Sequence, residues 1–151
     1  MNALSHIFKL TSFSALTGWI ILAVLPSWKL GQSIIVGIVV ALLCFAYIYL
    51  VFFGKKHDEP GQKIRGNFFS LKGIINLFKS PRVVLAGWVH YLAFDLMIGV
   101  YIVTNASQYG ISHWLLLPCL FMTLMFGPAG LLLYFVLRFS ITHEYFVPYT
   151  S

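Results

Sequence analysis

Four long apolar stretches, separated by polar or turn-forming segments, dominate the pattern of the chain. They cover roughly residues 8–25, 30–53, 83–104 and 114–137. Each is near the ~20 residues that a helix needs to cross ~30 Å of hydrocarbon. Apolar and polar residues do not alternate with a period of two, so the runs are not barrel strands. Because backbone groups in lipid must pair within their own segment, the pattern predicts an all-α, polytopic membrane protein with a bundle of four transmembrane helices.

The first run is the weakest of the four. It carries several hydroxyl side chains, ends at Pro26 and could be mistaken for a secretory signal peptide. The residues that follow, Pro-Ser-Trp-Lys, do not form a small-x-small cleavage site, and Ser14 and Gly18 are spaced for close helix packing. We therefore interpret the run as a membrane helix.

The connection between the second and third runs, residues 54–82, begins as a turn-rich polar stretch and then becomes amphipathic. Over about residues 67–79, phenylalanine, leucine and isoleucine recur among asparagine and lysine. This pattern is typical of a helix that lies in the headgroup region with its apolar face toward lipid. We interpret the segment as a lipid-anchoring interfacial strut. The alternative is a lid that gates the entry of a lipid-like substrate.

Composition agrees with the membrane interpretation. Of the 151 residues, 60% are apolar and 9% are charged, whereas a soluble domain is usually about one quarter charged. The mean hydropathy is +0.87, and we treat the chain as a single integral membrane domain. The net charge of +6 comes from basic residues between the apolar runs, which argues against a nucleic-acid partner. Cys44 and Cys119 lie inside apolar runs and are expected to be packing residues.

The basic residues also predict an orientation. Residues 54–82 contain seven of the ten lysines and arginines. With four spanning helices this connection shares a side with both termini, which adds Lys9 and Arg138 and leaves Lys29 on the other side. Because basic loops stay in the cytoplasm, both termini are expected there. The first apolar run begins close to Met1 without a transit peptide, so we expect a bacterial inner membrane.

Two ionisable side chains, His90 and Asp95, lie near the middle of the third run. A charged group there costs ~2.5–3.5 kcal/mol on insertion scales and is functional by default. Five residues leave a net rotation of about 140° around an α-helix, so His90 and Asp95 do not share a face. Trp88, Tyr91 and Asp95 do share one. A π-bulge between His90 and Asp95 would instead bring them together.

Two interpretations of Asp95 stay open. A buried carboxyl without a cationic neighbour keeps its proton, which suits a general acid in a membrane cavity. Alternatively, Asp95 is structural and accepts hydrogen bonds from the first-run hydroxyls of Thr11, Ser14 or Thr17.

The fourth run contains Gly127 and Pro128 in its middle. Proline lacks an amide hydrogen and glycine permits close approach, so a kink is predicted that serves either packing or the shape of a substrate site. His113 begins this run and is expected at the membrane interface. No two histidines have ligand spacing on one helix, so we expect no metal ion and no other cofactor.

The order and spacing of three strings carry a resemblance to a known family. Trp88-x-His90-x-x-x-x-Asp95-Leu96, then Gly110-Ile111-x-His113 and Phe126-Gly127-Pro128-x-Gly130, resemble the abscisic-acid-deficient-four-like family of small membrane proteins. Plant members of that family are required for forming neoxanthin from violaxanthin, an epoxide-to-allene isomerisation in plastid membranes. The resemblance implies a four-helix protein with a role in carotenoid or related isoprenoid metabolism.

Three functions are compatible with these residues. The first is a cofactor-independent isomerase that acts on a carotenoid-like lipid, with Asp95 and His90 as its acid and base. Its substrate contacts are expected from Trp88, Tyr91, Phe94, Tyr101, Gly127 and Pro128. The second is a non-catalytic protein that binds lipid or pigment, and the third is a small proton or ion conduit. Membrane lipids and a carotenoid-like ligand are the expected partners, while the oligomeric state stays open.

Overall fold

The computed structural model describes residues 2–58 and 66–145, and this part of the chain is all-α. Its six helices are α1 (Asn2–Val24), α2 (Lys29–His57), α3 (Leu71–Leu77), α4 (Pro81–Gln108), α5 (His113–Phe126) and α6 (Pro128–Thr142). Helices α1, α2 and α4 are long and apolar enough to cross a membrane. The prediction of an all-α chain is therefore confirmed, and three of the four predicted spans are helices of membrane-spanning length and composition.

Helix boundaries follow from local sequence chemistry. The Ser80 hydroxyl accepts a hydrogen bond from the Val83 amide, and Pro81 occupies the first turn of α4, where its missing amide hydrogen is harmless. The Ser70 hydroxyl caps α3 in the same way, through the Gly73 amide at 3.1 Å. Helix α3 is shorter than the predicted interfacial segment. It exposes Leu71 and Ile75 beside Lys72.

Helix α2 is continuous but not regular. It contains π-helical turns over Ile35–Val40 and Tyr49–Phe53 and ends in a 3-10 turn over Gly54–His57. A π-helical turn shifts the hydrogen-bond register and turns backbone carbonyls away from their usual partners. The Leu50 carbonyl is one such group, and it accepts a hydrogen bond from a side chain of α4 (Arg82).

Helix α4 is the centre of the bundle and packs against α1, α2, α5 and α6. We call the end of the molecule that holds residues 54–58 and 66–82 the basic end. The end that holds the 25–28 and 109–112 turns is the opposite end. One buried apolar cluster, including Leu43, Val89 and Leu92, lies toward the basic end. A second cluster, including Leu22, Leu96 and Leu116, lies toward the opposite end.

The fourth apolar run is not one spanning helix. It forms α5 and α6, which meet at Gly127 and lie side by side as a hairpin. A Cβ at Gly130 of α6 would overlap the backbone of Thr123 in α5. Tyr134, which follows the turn by seven residues, returns to the opposite end and donates a 2.6 Å hydrogen bond to Asn105 near the end of α4. At 14 and 15 residues, each helix is about 20 Å long and does not cross ~30 Å of hydrocarbon.

Because of the hairpin, α6 ends at the opposite end of the bundle. Arg138 of α6 also donates to the Asn105 side chain, at 3.0 Å, so the C-terminal turn of α6 lies at the opposite end. The start of α1 lies at the basic end, where Leu4 packs into the same cluster as Leu50 and Leu85. The structure thus does not support the expectation that both termini share an end with residues 54–82.

Candidate functional site at the hairpin tip

The tip of the α5–α6 hairpin meets the carboxyl group of Asp95. Gly127, the residue between the two helices, has φ +36°. Residues other than glycine rarely adopt this backbone conformation. A Cβ there would lie 2.5 Å from Asp95 Oδ1. Asp95 is 6% exposed. The sequence predicted that Asp95 and Gly127 belong to one site, and the structure places them in contact.

Tyr91 completes this site from one helical turn away on α4. Its hydroxyl donates a 2.7 Å hydrogen bond to the Leu124 carbonyl, one of the last four carbonyls of α5, which lack partners within their helix. The same hydroxyl interacts with the Asp95 carboxyl. Since its proton is directed to Leu124, the phenolic oxygen is left to accept. We call Tyr91, Asp95, Gly127 and the Leu124 carbonyl the tip site.

No cation among the described residues compensates a negative charge on Asp95. Its Oδ2 atom is buried and has no hydrogen-bond partner in the described part of the chain. The ion pair found within residues 2–58 and 66–145 joins Arg82 to Asp58, at the basic end. The partial positive charge at the start of α6 is opposed by the partial negative charge at the end of α5, because the two ends meet at Gly127. A carboxyl in such a place is far less costly to bury with its proton than without it.

The first-helix hydroxyls do not hold Asp95. Thr11, Ser14 and Thr17 each donate to a carbonyl of their own helix, at 2.8, 2.9 and 2.9 Å. A hydroxyl has one proton to donate, so none of the three can also donate to the carboxyl. The structural interpretation of Asp95 based on these hydroxyls is therefore wrong.

His90 does not reach the tip site. All 28 residues of α4 are α-helical, so the π-bulge that would have joined His90 to Asp95 is absent from that helix. The His90 side chain is exposed on another face, where its ring stacks on Phe94 at 4.4 Å and faces Tyr47 of α2 at 5.7 Å. The geometry gives it no contact with the acid that the sequence interpretation paired it with.

The predicted substrate contacts are distributed over three places. Trp88 stacks on Tyr91 at 5.4 Å and so adjoins the tip site. Phe94 is 59% exposed and points away from the bundle, while Tyr101 packs edge-on against Tyr134 of the hairpin at 6.3 Å. Pro128 begins α6 directly after Gly127. The aromatics therefore do not line one continuous surface.

A polar cluster at the basic end was missed by sequence reasoning. Arg82 donates from Nε to both Asp58 oxygens, at 2.9 and 3.1 Å, and from Nη1 to the Leu50 carbonyl at 2.7 Å. Ser80 donates to Asp58 Oδ1 at 2.9 Å. The Arg82 hydrogen bond lowers the pKa of Asp58 below its ordinary value of 3.8, against the desolvation that raises it. These residues clamp the end of α2 to the start of α4.

Arg138 is a second buried arginine. In the sequence analysis we used it only as a positive charge that helps to set the orientation in the membrane. It is 3% exposed and lies near the rings of Tyr109, Tyr134 and Phe135, at 5.5 to 6.0 Å. Its partners are neutral oxygens of Asn105 and Tyr145. His113 adds a further tie at this end, because its Nε2 lies 2.8 Å from the Ala23 carbonyl. These contacts hold the hairpin and α1 to the end of α4.

The family of the chain is decided by a match that includes the hairpin tip and all of α4. The family model described as ABA DEFICIENT 4-like matches residues 6–134. The chain belongs to the ABA DEFICIENT 4-like family. This family is linked to neoxanthin and carotenoid synthesis. No curated protein and no solved structure matches the chain. In this member of the ABA DEFICIENT 4-like family, the matched region contains every residue of the tip site.

Proposed function

We propose that the protein binds a carotenoid-like isoprenoid lipid inside the membrane and that Asp95, held as the neutral acid, gives a proton or a hydrogen bond to an oxygen of that lipid. The observation that carries the proposal is the buried Asp95 carboxyl at the hairpin tip, where the described residues leave one oxygen unpartnered and pair no cation with it. The link of the ABA DEFICIENT 4-like family to carotenoid synthesis supports the class of ligand.

The acid chemistry proposed here needs no cofactor. Isomerisation of an epoxide to an unsaturated alcohol delivers one proton to oxygen, breaks a carbon–oxygen bond and removes one proton from carbon. Asp95 supplies the first proton. The Asp95 carboxylate that results is the base that removes the proton from carbon, and the Tyr91 hydroxyl lies beside it. His90 faces elsewhere and takes no part in the proposed step.

A second candidate is a binding protein without turnover. The tip site contains two titratable side chains, Tyr91 and Asp95. A site with so few groups for proton transfer is suited to binding. In that case the carboxyl would fix the orientation of an oxygenated lipid without transferring a proton.

A conduit is the least supported function. On the α4 face that continues from Asp95 toward the opposite end, Gly99 packs against Trp19, and the neighbouring Leu96 and Val103 belong to a buried apolar cluster. Ion or proton passage needs polar groups along the path, and the side chains of Leu96 and Val103 on this part of α4 are apolar.

The test is to express the Asp95→Asn variant in a host that makes carotenoids and to measure both the pigment retained by the purified protein and the isoprenoid products formed. Asparagine keeps the shape but removes the transferable proton. We expect pigment retention with loss of product. Full product formation would contradict the acid role, and absence of pigment in both proteins would contradict the ligand class.

We also infer an orientation that differs from the sequence expectation. Eight of the ten lysines and arginines lie in α1 near its start or in residues 54–82, and Lys29 and Arg138 lie toward the opposite end. The basic end would then face the cytoplasm, and the hairpin would enter and leave the membrane on the other side. For a bacterial inner membrane, this places the C-terminus in the periplasm.

Reporter fusions test this orientation. A reporter after Ser151 and one in the 109–112 turn should report the same, non-cytoplasmic side, and a reporter in the 59–65 segment should report the cytoplasm. A cytoplasmic C-terminal reporter would mean that the α5–α6 pair crosses the membrane.

A further inference from the structure

One face of α4 is left uncovered by the other described helices. Its exposed residues are His90, Phe94 and Met97. On one side this face is bordered by Tyr47 of α2, whose ring lies 5.7 Å from that of His90, and on the other side by Tyr101, which packs on the hairpin. Steps of four and three residues are typical of a helix face that packs along a partner helix. We call Tyr47, His90, Phe94 and Met97 the open face.

The open face carries a polar side chain at a depth where lipid offers it no partner. A rise of 1.5 Å per residue places His90 about 12 Å deeper along α4 than Arg82. Polar side chains in membrane spans usually face the protein interior or an aqueous cavity, because hydrocarbon cannot hydrogen-bond to them. His90 is exposed on the outside of the bundle instead.

The chain does not satisfy the hydrogen-bonding groups of the open face. Within residues 2–58 and 66–145, neither the Tyr47 hydroxyl nor the His90 ring makes a hydrogen bond, although the two rings are neighbours. A neutral imidazole has a nitrogen that accepts, and a tyrosine hydroxyl has a proton to donate. The open face thus holds both a donor and an acceptor, so it is complementary to a second copy of itself.

A two-fold axis between two copies satisfies both groups at once. In such an interface every contact between two different residues occurs twice, once in each direction. The Tyr47 hydroxyl of one copy donates to the His90 ring of the other, and the equivalent bond forms on the far side of the axis. Phe94 and Met97 supply apolar packing beside these bonds. A lipid acyl chain has no group that pairs with either side chain.

We propose that the protein forms a symmetric homodimer in the membrane through the open face, with reciprocal hydrogen bonds between Tyr47 of each copy and His90 of the other. This gives His90 a role in assembly. The proposal does not depend on the function of Asp95, which lies on another face of α4 and meets the hairpin of its own chain.

The first experiment measures the dissociation constant of the full chain in lipid vesicles, by single-molecule photobleaching at decreasing protein-to-lipid ratios. We expect dimers that dissociate on dilution. Tyr47→Phe and His90→Phe should each raise the dissociation constant roughly tenfold, because each removes both hydrogen bonds. The combined variant should raise it no further, since the two side chains share those bonds. The matched control, Tyr49→Phe with His57→Phe, removes a tyrosine–histidine contact within one chain and should leave the dissociation constant unchanged.

Cysteine cross-linking locates the interface without altering Tyr47 or His90. In a chain whose own two cysteines are replaced by alanine, Met97→Cys should form a disulfide between copies when vesicles are oxidised. The control is Ile20→Cys, an exposed position of α1 at a similar depth, since Trp19 packs on Gly99; it should not cross-link. The proposal is overturned by a chain that stays monomeric at every ratio, by equal cross-linking at both positions, or by unchanged dissociation constants in both single variants.

Discussion

Asp58 and Asp95 are the same side chain in opposite situations. Asp58, at the basic end, accepts hydrogen bonds from Arg82 and Ser80 and forms an ion pair. Asp95, at the hairpin tip, has a buried oxygen that finds no hydrogen-bond partner within residues 2–58 and 66–145. Pairing makes Asp58 part of a structural clamp, because its charge is compensated where it lies. Asp95 has no cationic partner in the described part of the chain, which is typical of a carboxyl that binds a ligand or transfers a proton.

The comparison predicts that removing the paired carboxyl costs more stability than removing the unpaired one. Asp58→Ala leaves Arg82 buried without its counter-ion, and breaking a buried pair in this way costs about 3–5 kcal/mol. Asp95→Asn should cost clearly less, because no ion pair is lost. Thermal unfolding in detergent measures both. Equal destabilisation by the two variants would contradict the claim that Asp58 stabilises the fold and Asp95 does not.

The hairpin tip should be intolerant of a single methyl group. Gly127→Ala places a Cβ 2.5 Å from Asp95 Oδ1 at φ +36°, and we expect a loss of about 1–3 kcal/mol from backbone strain together with displacement of the carboxyl. Gly37→Ala is the matched control, since its Cβ would meet no atom within 4 Å and alanine favours a helix. Similar stability of the two variants would contradict the described contact between Gly127 and Asp95.

The Asp58–Arg82 ion pair should also make the stability of the protein depend on pH. We expect this effect to be smaller than those of the substitutions above. Because Arg82 lowers the pKa of Asp58 in the folded protein, the pair stabilises the fold above the ordinary value of 3.8. That contribution is lost as the pH falls through the lowered folded pKa. Unfolding midpoints measured from pH 6 downward should therefore fall more steeply in the unaltered protein than in Asp58→Ala. Parallel curves would show that the pair adds nothing.

Much of this arrangement could be predicted from the sequence because apolar length and helical periodicity are local properties. The first three apolar runs are α1, α2 and α4. The rotation per residue placed Trp88, Tyr91 and Asp95 on one side of α4 and His90 on another, and the structure agrees in both respects. Pairing His90 with Asp95 as base and acid went beyond that geometry.

The remainder depends on contacts between distant segments. A hairpin of two half-length helices has the same apolar length as one span, so residues 114–137 do not reveal the reversal at Gly127. The reversal depends on the close approach of Gly130 to Thr123 and on the ties of Tyr134 and Arg138 to Asn105. Likewise, Arg82 could be counted as a loop charge, but its partners lie 24 and 32 residues away in sequence.

The protonation state of Asp95 can be read from the infrared spectrum of the purified protein at neutral pH, in the region where a protonated carboxyl absorbs. We expect a carbonyl band that shifts in heavy water, persists in Asp58→Asn and disappears in Asp95→Asn. Absence of that band in the unaltered protein, or its persistence in Asp95→Asn, would contradict the claim that Asp95 is held as the neutral acid at the hairpin tip.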